Sequence, residues 1–171
     1  MQVPLRSRHV RRLLLKCHNH CFVSLLGSVA GMITRSDIQK PIVRMWLFGI
    51  ITLMEMNFVE RIRMKWPAET WLNLITKSRL KKAEELLEER RRRKQHCDLL
   101  DCLQFSDKAR IIIQDPEQLE ELGLKSKKIA KQLSKELESL RNNLAHSQDI
   151  VTHDWPQIAR MAKRFEKIIS R

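Results

Sequence analysis

Apolar residues in the second half of the chain recur every three or four positions, and this spacing constrains the fold more than any other feature. In two stretches the steps are 4, 4, 3, 4 and 3, 4, 3, 4. Such spacing stacks side chains on one face of an α-helix. The sequence therefore predicts a mainly α-helical protein with two strongly amphipathic helices, whose apolar faces are Ile129, Leu133, Leu137, Leu140 and Leu144 in the first, and Trp155, Ile158, Ala162, Phe165 and Ile169 in the second.

Composition excludes several competing fold classes. The 171 residues are 43% hydrophobic, which is too apolar for a disordered chain. Only 4 residues are Gly and none is Tyr, which disfavours a β-sandwich or barrel. The same scarcity of glycine argues against an α/β enzyme with a glycine-rich phosphate loop. The length suits one domain, or one compact domain with an appendage.

Turn and capping residues divide the helical half into four predicted helices. These cover residues 69–94, residues 98–114 with a break near Ser106, a stretch from Ser126, and a stretch after Asp154. Short links between four amphipathic helices favour an antiparallel four-helix bundle over residues 67–171.

The first 66 residues are predicted to be organised differently from the helical half of the chain. Residues 1–26 form a basic arm without a clear period. In residues 27–66 we expect a short buried strand from Val29 to Thr34, with Gly31 allowing close backbone approach. A long apolar helix over residues 42–63 follows it, and Trp66 and Pro67 mark the boundary.

The net charge and the length of the longest apolar run indicate which partners and which cellular compartment to expect. The formal net charge of +13 favours a polyanionic partner. The most apolar run, Met45 to Met54, has ten residues, whereas a membrane span needs roughly 20. We therefore expect a buried or dimer-interface helix in a cytoplasmic protein that has no membrane partner.

The cysteines do not predict a disulfide framework or a metal centre. Cys17 and Cys21 flank two histidines, but a second ligand pair at finger-like spacing is missing. Cys97 and Cys102 complete the set of four. We expect no metal and no obligatory cofactor.

One short motif carries recognisable chemistry. The predicted third bundle helix ends in Leu-Arg-Asn-Asn-Leu-Ala-His-Ser, in which Arg141 and His146 are separated by four residues. This pattern resembles the R-x4-6-H motif of HEPN domains, and the resemblance extends over residues 69–171. It implies a metal-independent endoribonuclease whose active site is shared across a homodimer, with RNA as substrate and an antitoxin or regulatory protein as partner.

The residue types suit that chemistry. RNA cleavage without metal needs a base for the 2′-hydroxyl, an acid for the leaving 5′-oxygen, and a cation beside the phosphorane. His146 is the candidate acid or base, Arg141 the phosphate ligand, and Asn142 a supporting group. Residues five apart on a helix point about 140° apart, so Arg141 and His146 converge only if the helix ends between them or two subunits face each other.

The same residues have a purely structural interpretation. Arg141 could pair with Glu136, Glu138 or Asp149, and His146 could cap the helix C-terminus. The alternative function is then a non-catalytic regulatory or RNA-binding dimerisation module.

Two basic clusters are candidates for tracking an RNA backbone, although a solvated helix face explains them equally well. They are Arg90, Arg91, Arg92, Arg93 and Lys94, and Lys127 with Lys128.

A second motif precedes the long apolar helix. The run from Gly31 to Ile38 resembles the closing strand-helix signature of a CBS domain, and the resemblance covers residues 26–60. It implies that Thr34 and Asp37 contact the ribose of an adenine nucleotide, which would gate the protein. The alternative is that Thr34 ends a strand and Asp37 caps a helix.

Overall fold

The computed structural model describes residues 20–26 and 28–169 and is 67% helical, which confirms the mainly α prediction. The α-helices are α1 (Pro41–Lys65), α2 (Lys77–Arg92), α3 (Phe105–Gln114), α4 (Pro116–Glu121), α5 (Lys127–Ala145) and α6 (Trp155–Ile169). Short 3₁₀ helices cover Arg35–Gln39 and Thr70–Leu74, and β1 (His20–Leu25) pairs with β2 (Ser28–Thr34). Most of the predicted basic arm, including Cys17, lies outside the described residues.

Two predicted helix starts are confirmed. The hydroxyl of Ser126 accepts a hydrogen bond from the N–H of Ile129 at 3.3 Å, which is N-cap geometry. Asp154 precedes α6, and its carbonyl accepts from the N–H of Ile158 at 3.0 Å.

The single helix predicted over residues 69–94 is wrong. Ile75 and Thr76 are extended, so a 3₁₀ helix ends before them and α2 begins after them. Because the break resets the helical phase, the buried face of α2 is set by Ala83 and Leu87, and the neighbouring Lys82 is exposed to solvent.

Two further boundaries also differ from prediction. α3 begins at Phe105, because residues 98–104 form turns. In these turns the carboxylate of Asp98 accepts the backbone N–H of Asp101 at 2.9 Å, and the carboxylate of Asp101 accepts the backbone N–H of Asp98 at 3.1 Å. The link between the second and third predicted helices contains an unpredicted helix, α4, whose N-cap Asp115 accepts the N–H of Glu117 at 3.0 Å.

The β-hairpin corrects the expectation of a buried strand. In β2 only Ile33 is buried, and a side chain built at Gly31 would meet nothing within 4 Å. The antiparallel partner β1 was not predicted, and a register shift after Val23 interrupts the pairing. Exposed side chains on both strands obscured the period of two that identifies a strand.

The chain divides into two compact units. The described residues up to 51 and those from 139 onward form one unit, whose buried side chains include Leu47, Leu140 and Trp155. Residues 52–138 form the other, which buries Phe58 against Phe105 with ring centroids 5.8 Å apart. In the second unit the side chain of Lys108 is only 5% exposed, and its ammonium group is 2.7 Å from the carboxylate of Glu55.

Helix α1 is apolar on two faces. One face is buried and follows a helical period: Val43, Leu47, Ile51, Met54, Phe58 and Ile62. A second set of large apolar side chains on the same helix is exposed to solvent: Ile42, Met45, Phe48, Leu53, Met56 and Met64.

The length and composition of α1 also meet the requirements of a membrane span. It has 25 residues, its most apolar window has a mean hydropathy of 1.5, and 28% of that window is buried. The sequence-based estimate counted only the ten uncharged residues and therefore understated the apolar length.

Candidate functional site

The Arg-His motif lies at the C-terminal end of α5. Arg141 is half-buried, whereas Asn142 and His146 are exposed. Helix α5 continues to Ala145, and the N–H of His146 still donates to the carbonyl of Asn142 at 3.0 Å. Helical hydrogen bonding therefore reaches His146, which directly follows the last helical residue, and in this geometry the side chains of Arg141 and His146 point about 140° apart. Within one copy of the chain, the end of α5 does not turn these two side chains toward each other.

A Schellman motif terminates the helix directly after His146. The N–H of Gln148 donates to the carbonyl of Asn143 at 2.8 Å, and the N–H of Ser147 points to the carbonyl of Leu144 at 3.4 Å. Ser147 has a φ of 56°, a left-handed conformation that costs a residue with a Cβ about 1 kcal/mol. The turn fixes the backbone on which His146 sits.

Arg44 of α1 clamps the same helix end. One guanidinium nitrogen donates to the carbonyl of Asn143 at 2.9 Å and to that of Leu144 at 3.4 Å. The other donates to the carbonyl of Gln148 at 2.9 Å and to the side chain of Gln39 at 2.8 Å. These carbonyls belong to the last turn of α5 and the loop beyond it, where intrahelical donors are lacking. A cation there also complements the negative end of the helix dipole.

Asn143 and His153 form a polar contact that the sequence analysis missed. The Asn143 amide donates to the carbonyl of Asp149 at 3.2 Å and lies 3.1 Å from Nε2 of His153. With the amide as donor, Nε2 is the acceptor, and the ring proton of a neutral His153 is then on Nδ1. The signal in the sequence was the second asparagine of the motif, since Asn143 and not Asn142 makes these bonds.

A shallow groove of about 570 Å³ adjoins the helix end. It is lined by Met45 and Phe48 of α1 and by Leu144, Ala145 and Ser147 of the motif, together with Gln39, Pro41 and Arg44. The three predicted catalytic residues do not line this groove. Arg141 is also engaged in a polar or electrostatic interaction within the chain, so a bound phosphate would compete for it.

Thr34 and Asp37 meet in a local capping arrangement. The Asp37 carboxylate accepts from the Thr34 N–H at 2.6 Å and from its hydroxyl at 2.9 Å, and Lys40 lies 2.6 Å away. Partial burial raises the pKa of Asp37, but the hydrogen bonds from Lys40 and Thr34 outweigh it, and the pKa falls below its usual value. The N-cap is thus Thr34, and Asp37 is the third residue of a capping box. Both residues have a structural role, with the cap at Thr34 and not at Asp37 as expected, and adenine-nucleotide binding stays a prediction.

The predicted RNA-binding clusters are mostly exposed. The run Arg90–Lys94 closes α2, where Arg92 lies 3.8 Å from Glu88 and Arg93 contacts Glu89. Lys127 donates to the carbonyl of Gln114 at 3.1 Å, and Lys128 is exposed. Both clusters are accessible to a polyanion, but neither forms a cavity by itself.

Neither a metal site in the described residues nor a family match identifies a function for this chain. Over the part of the chain that the structure describes, His, Cys, Asp and Glu do not assemble into a group of three that could hold a metal ion. No protein-family model matches the chain, and neither a curated protein nor a solved structure matches it. The HEPN and CBS resemblances therefore rest on the residues quoted above.

Proposed function

We propose that this chain is a metal-independent endoribonuclease with a HEPN-like four-helix bundle, and that it cleaves RNA as a homodimer. The observation that carries the proposal is the placement of the motif. An accessible imidazole, His146, follows directly on a helix end that Arg44 and a Schellman turn hold in place, and Arg141 lies one turn earlier. Fixed placement of acid, base and cation is what metal-free phosphodiester cleavage needs.

The proposed reaction uses two copies of the motif. The imidazole of one His146 takes the 2′-hydroxyl proton, and the 2′-oxygen attacks the adjacent phosphorus. The second His146 protonates the departing 5′-oxygen, which leaves a 2′,3′-cyclic phosphate and a 5′-hydroxyl. The Arg141 guanidinium stabilises the phosphorane oxygens. Asn142, exposed beside Arg141, is the proposed supporting group.

The continuity of α5 makes a second subunit necessary for this mechanism. Arg141 and His146 leave one helix about 140° apart, so a single copy does not present both to one phosphate. The exposed apolar side chains of α1 supply a surface for such pairing, because their burial against a second copy removes apolar area from water. Gly49 lies on this helix with open space beside it, where a neighbouring helix could approach closely.

Cleavage in the presence of EDTA tests the proposal. We expect the wild-type protein to cleave RNA and leave a 2′,3′-cyclic phosphate, and His146→Ala to lose at least about 100-fold in rate. The matched control is His96→Ala, which removes another exposed imidazole outside the motif. Circular dichroism and thermal unfolding verify that both variants fold. Wild-type inactivity on varied RNAs, or equal rates for both variants, would contradict the nuclease.

The oligomeric state tests the second half of the mechanism. We expect Met45→Glu to shift a dimer to monomer in sedimentation velocity and to lower cleavage in parallel. Asn73→Glu, at an exposed polar position, adds the same charge without touching the apolar face. A wild-type monomer that cleaves RNA at full rate would exclude a site composed of two copies.

The alternative function is a non-catalytic regulatory or RNA-binding dimerisation module. The exposed apolar face of α1 favours it, since that face serves dimerisation whether or not RNA is cut. Dimers that bind RNA without cleaving it would select this alternative. Titration with adenine nucleotides tests gating through Thr34 and Asp37, whose polar groups already satisfy each other locally.

The cytoplasmic location and an antitoxin or regulatory partner are part of the same proposal. The length and hydropathy of α1 make membrane attachment the competing outcome. Recovery of the protein in the soluble fraction after cell lysis without detergent is the expected result. Extraction only by detergent would assign α1 to the membrane.

A further inference from the structure

A cavity of about 280 Å³ within residues 52–138 has four cationic side chains among its nine lining residues. Three helices contribute to it. Arg79 comes from α2, Ser106, Asp107 and Arg110 come from α3, and Lys131 and Lys135 come from α5. Glu138 also lines the cavity, so four cations face two carboxylates. The volume is near the lower end of small-molecule sites, which suits a compact group.

The charges in this cavity are unevenly paired. Arg79 donates to the side chain of Gln104 at 2.7 Å and lies 3.6 Å from the carboxylate of Asp107, which is only 7% exposed. Arg110, Lys131 and Lys135 have no carboxylate within ion-pair distance in the described part of the chain. The carboxylate of Asp107 is thus balanced by Arg79. The other three cations stand against Glu138 alone, which leaves a net charge of +2 in the cavity for an external anion.

Ser106 provides an independent indication of a ligand. Its hydroxyl oxygen is buried and makes no hydrogen bond with any described residue. A buried hydroxyl without a partner costs about 1–3 kcal/mol, so an oxygen-rich ligand that accepts its proton would relieve that cost. Ser106 is also in the first turn of α3, where the free N–H groups and the helix dipole favour negative charge.

We propose that this cavity binds a phosphate group. Arg110 would supply a forked pair of hydrogen bonds, Lys131 and Lys135 point charges, and Ser106 a neutral donor. A phosphate has enough oxygens to satisfy all four side chains at once. The site is separate from the Arg141 and His146 motif in its residues, and phosphate binding does not depend on whether the chain cleaves RNA.

Calorimetric titration with inorganic phosphate, at constant ionic strength set by chloride, tests the site. We expect saturable binding, weakened at least about tenfold in the double variant Lys131→Gln/Lys135→Gln. The control is Lys81→Gln/Lys82→Gln, which removes the same charge from exposed positions of α2 outside the cavity. Equal affinities in the two double variants, or no heat beyond the chloride control, would overturn the proposal.

Ser106→Ala separates a ligand from simple charge attraction. We expect it to weaken phosphate binding several-fold, while the melting temperature without phosphate stays the same or rises because an unpartnered hydroxyl is removed. Unchanged affinity of Ser106→Ala for phosphate would refute the role of Ser106. Only a diffuse electrostatic attraction would then be left, which contradicts a specific phosphate-binding site.

Two further titrations identify the source of the phosphate. One uses a 5′-phosphorylated mononucleotide, and the other uses a single-stranded RNA that has 5′- and 3′-hydroxyl ends. Binding of the first, lost in Lys131→Gln/Lys135→Gln, indicates a terminal phosphate ligand. Binding of the second with the same loss indicates backbone phosphodiesters. If neither binding reaction depends on these lysines, the proposal fails.

Discussion

The C-terminal ends of α2 and α5 share one backbone motif but have different surroundings. Both helices end in a Schellman turn whose left-handed residue is not glycine: Lys94 has a φ of 57° and Ser147 a φ of 56°. At the end of α2, exposed arginines pair with glutamates of the preceding turn. At the end of α5, Arg44 arrives from another helix and donates to three carbonyl groups. The same local turn is thus solvated in one place and clamped in the other.

The difference teaches which helix end can carry precise chemistry. Side chains on the exposed end of α2 are held only by contacts within their own helix, which are worth little. The end of α5 is fixed by a residue 99 positions away in the chain from Asn143. A positioned imidazole requires the second kind of support, and this contrast leads to four predictions.

Removal of the clamp should have the largest effect. Arg44→Ala removes the charged donor from the carbonyls of Asn143, Leu144 and Gln148, the first two of which keep only their backbone bonds in the Schellman turn, and we expect the free energy of unfolding to fall by about 2 kcal/mol. Urea unfolding measures this value. Arg44→Lys keeps the charge but loses the fork, and an intermediate loss is expected. If Arg44→Ala unfolds like the wild type, the clamp contributes nothing.

Asp37 supports the segment that leads to Gln39 and Arg44, and its effect should depend on pH. Asp37→Asn should lower stability at neutral pH by about 1 kcal/mol, because its carboxylate caps Thr34. The folded pKa of Asp37 is lowered. Its contribution is therefore complete above the unfolded value of about 3.9 and is lost as the pH falls through the lower folded value.

Unfolding followed from pH 7 down to pH 2 checks this sign. The difference between wild type and Asp37→Asn should be constant above about pH 4 and shrink below it. A difference that grows on acidification would show that the pKa shift has the opposite direction.

Glycine at the two left-handed positions should stabilise both ends by about 0.5–1 kcal/mol each. Lys94→Gly and Ser147→Gly relieve the same backbone strain, so equal gains would show that the turns are equivalent despite their surroundings. Gly123→Ala, at a third turn of this type with a φ of 63°, should destabilise by a similar amount. Thermal unfolding resolves these differences, and a loss of stability in Lys94→Gly would contradict the assignment.

The smallest effect is expected at the exposed end of α2. Arg93→Ala removes an ion pair with Glu89 whose side chains are both more than half exposed, and stability should change by less than about 0.5 kcal/mol. The measurement is the urea midpoint beside that of Arg44→Ala. A comparable loss in both variants would abolish the contrast between the two helix ends.

The candidate site was only partly readable from the sequence. Spacing and caps placed Arg141 and His146 at the end of α5, and local patterns sufficed because caps act within a few residues. The sequence did not indicate Arg44, because a residue in an apolar helix gives no local sign of the distant carbonyls it will bind. The contact between Asn143 and His153 was missed for the same reason.

What the sequence determined by itself is the helical class, most of the apolar face of α5 and the starts of α5 and α6, since propensity, period and capping are local. The side chains of Phe165 and Ile169, predicted on the apolar face of α6, lie outside the described residues. The tertiary structure decided the rest. It turned Ile129 outward and Ala130 inward, because the buried face of α5 follows Ala130, Leu133, Leu137 and Leu140. It broke the predicted helix at Ile75 and brought the cations of α2, α3 and α5 around one cavity. Such outcomes depend on contacts between residues far apart in the chain, which no local pattern encodes.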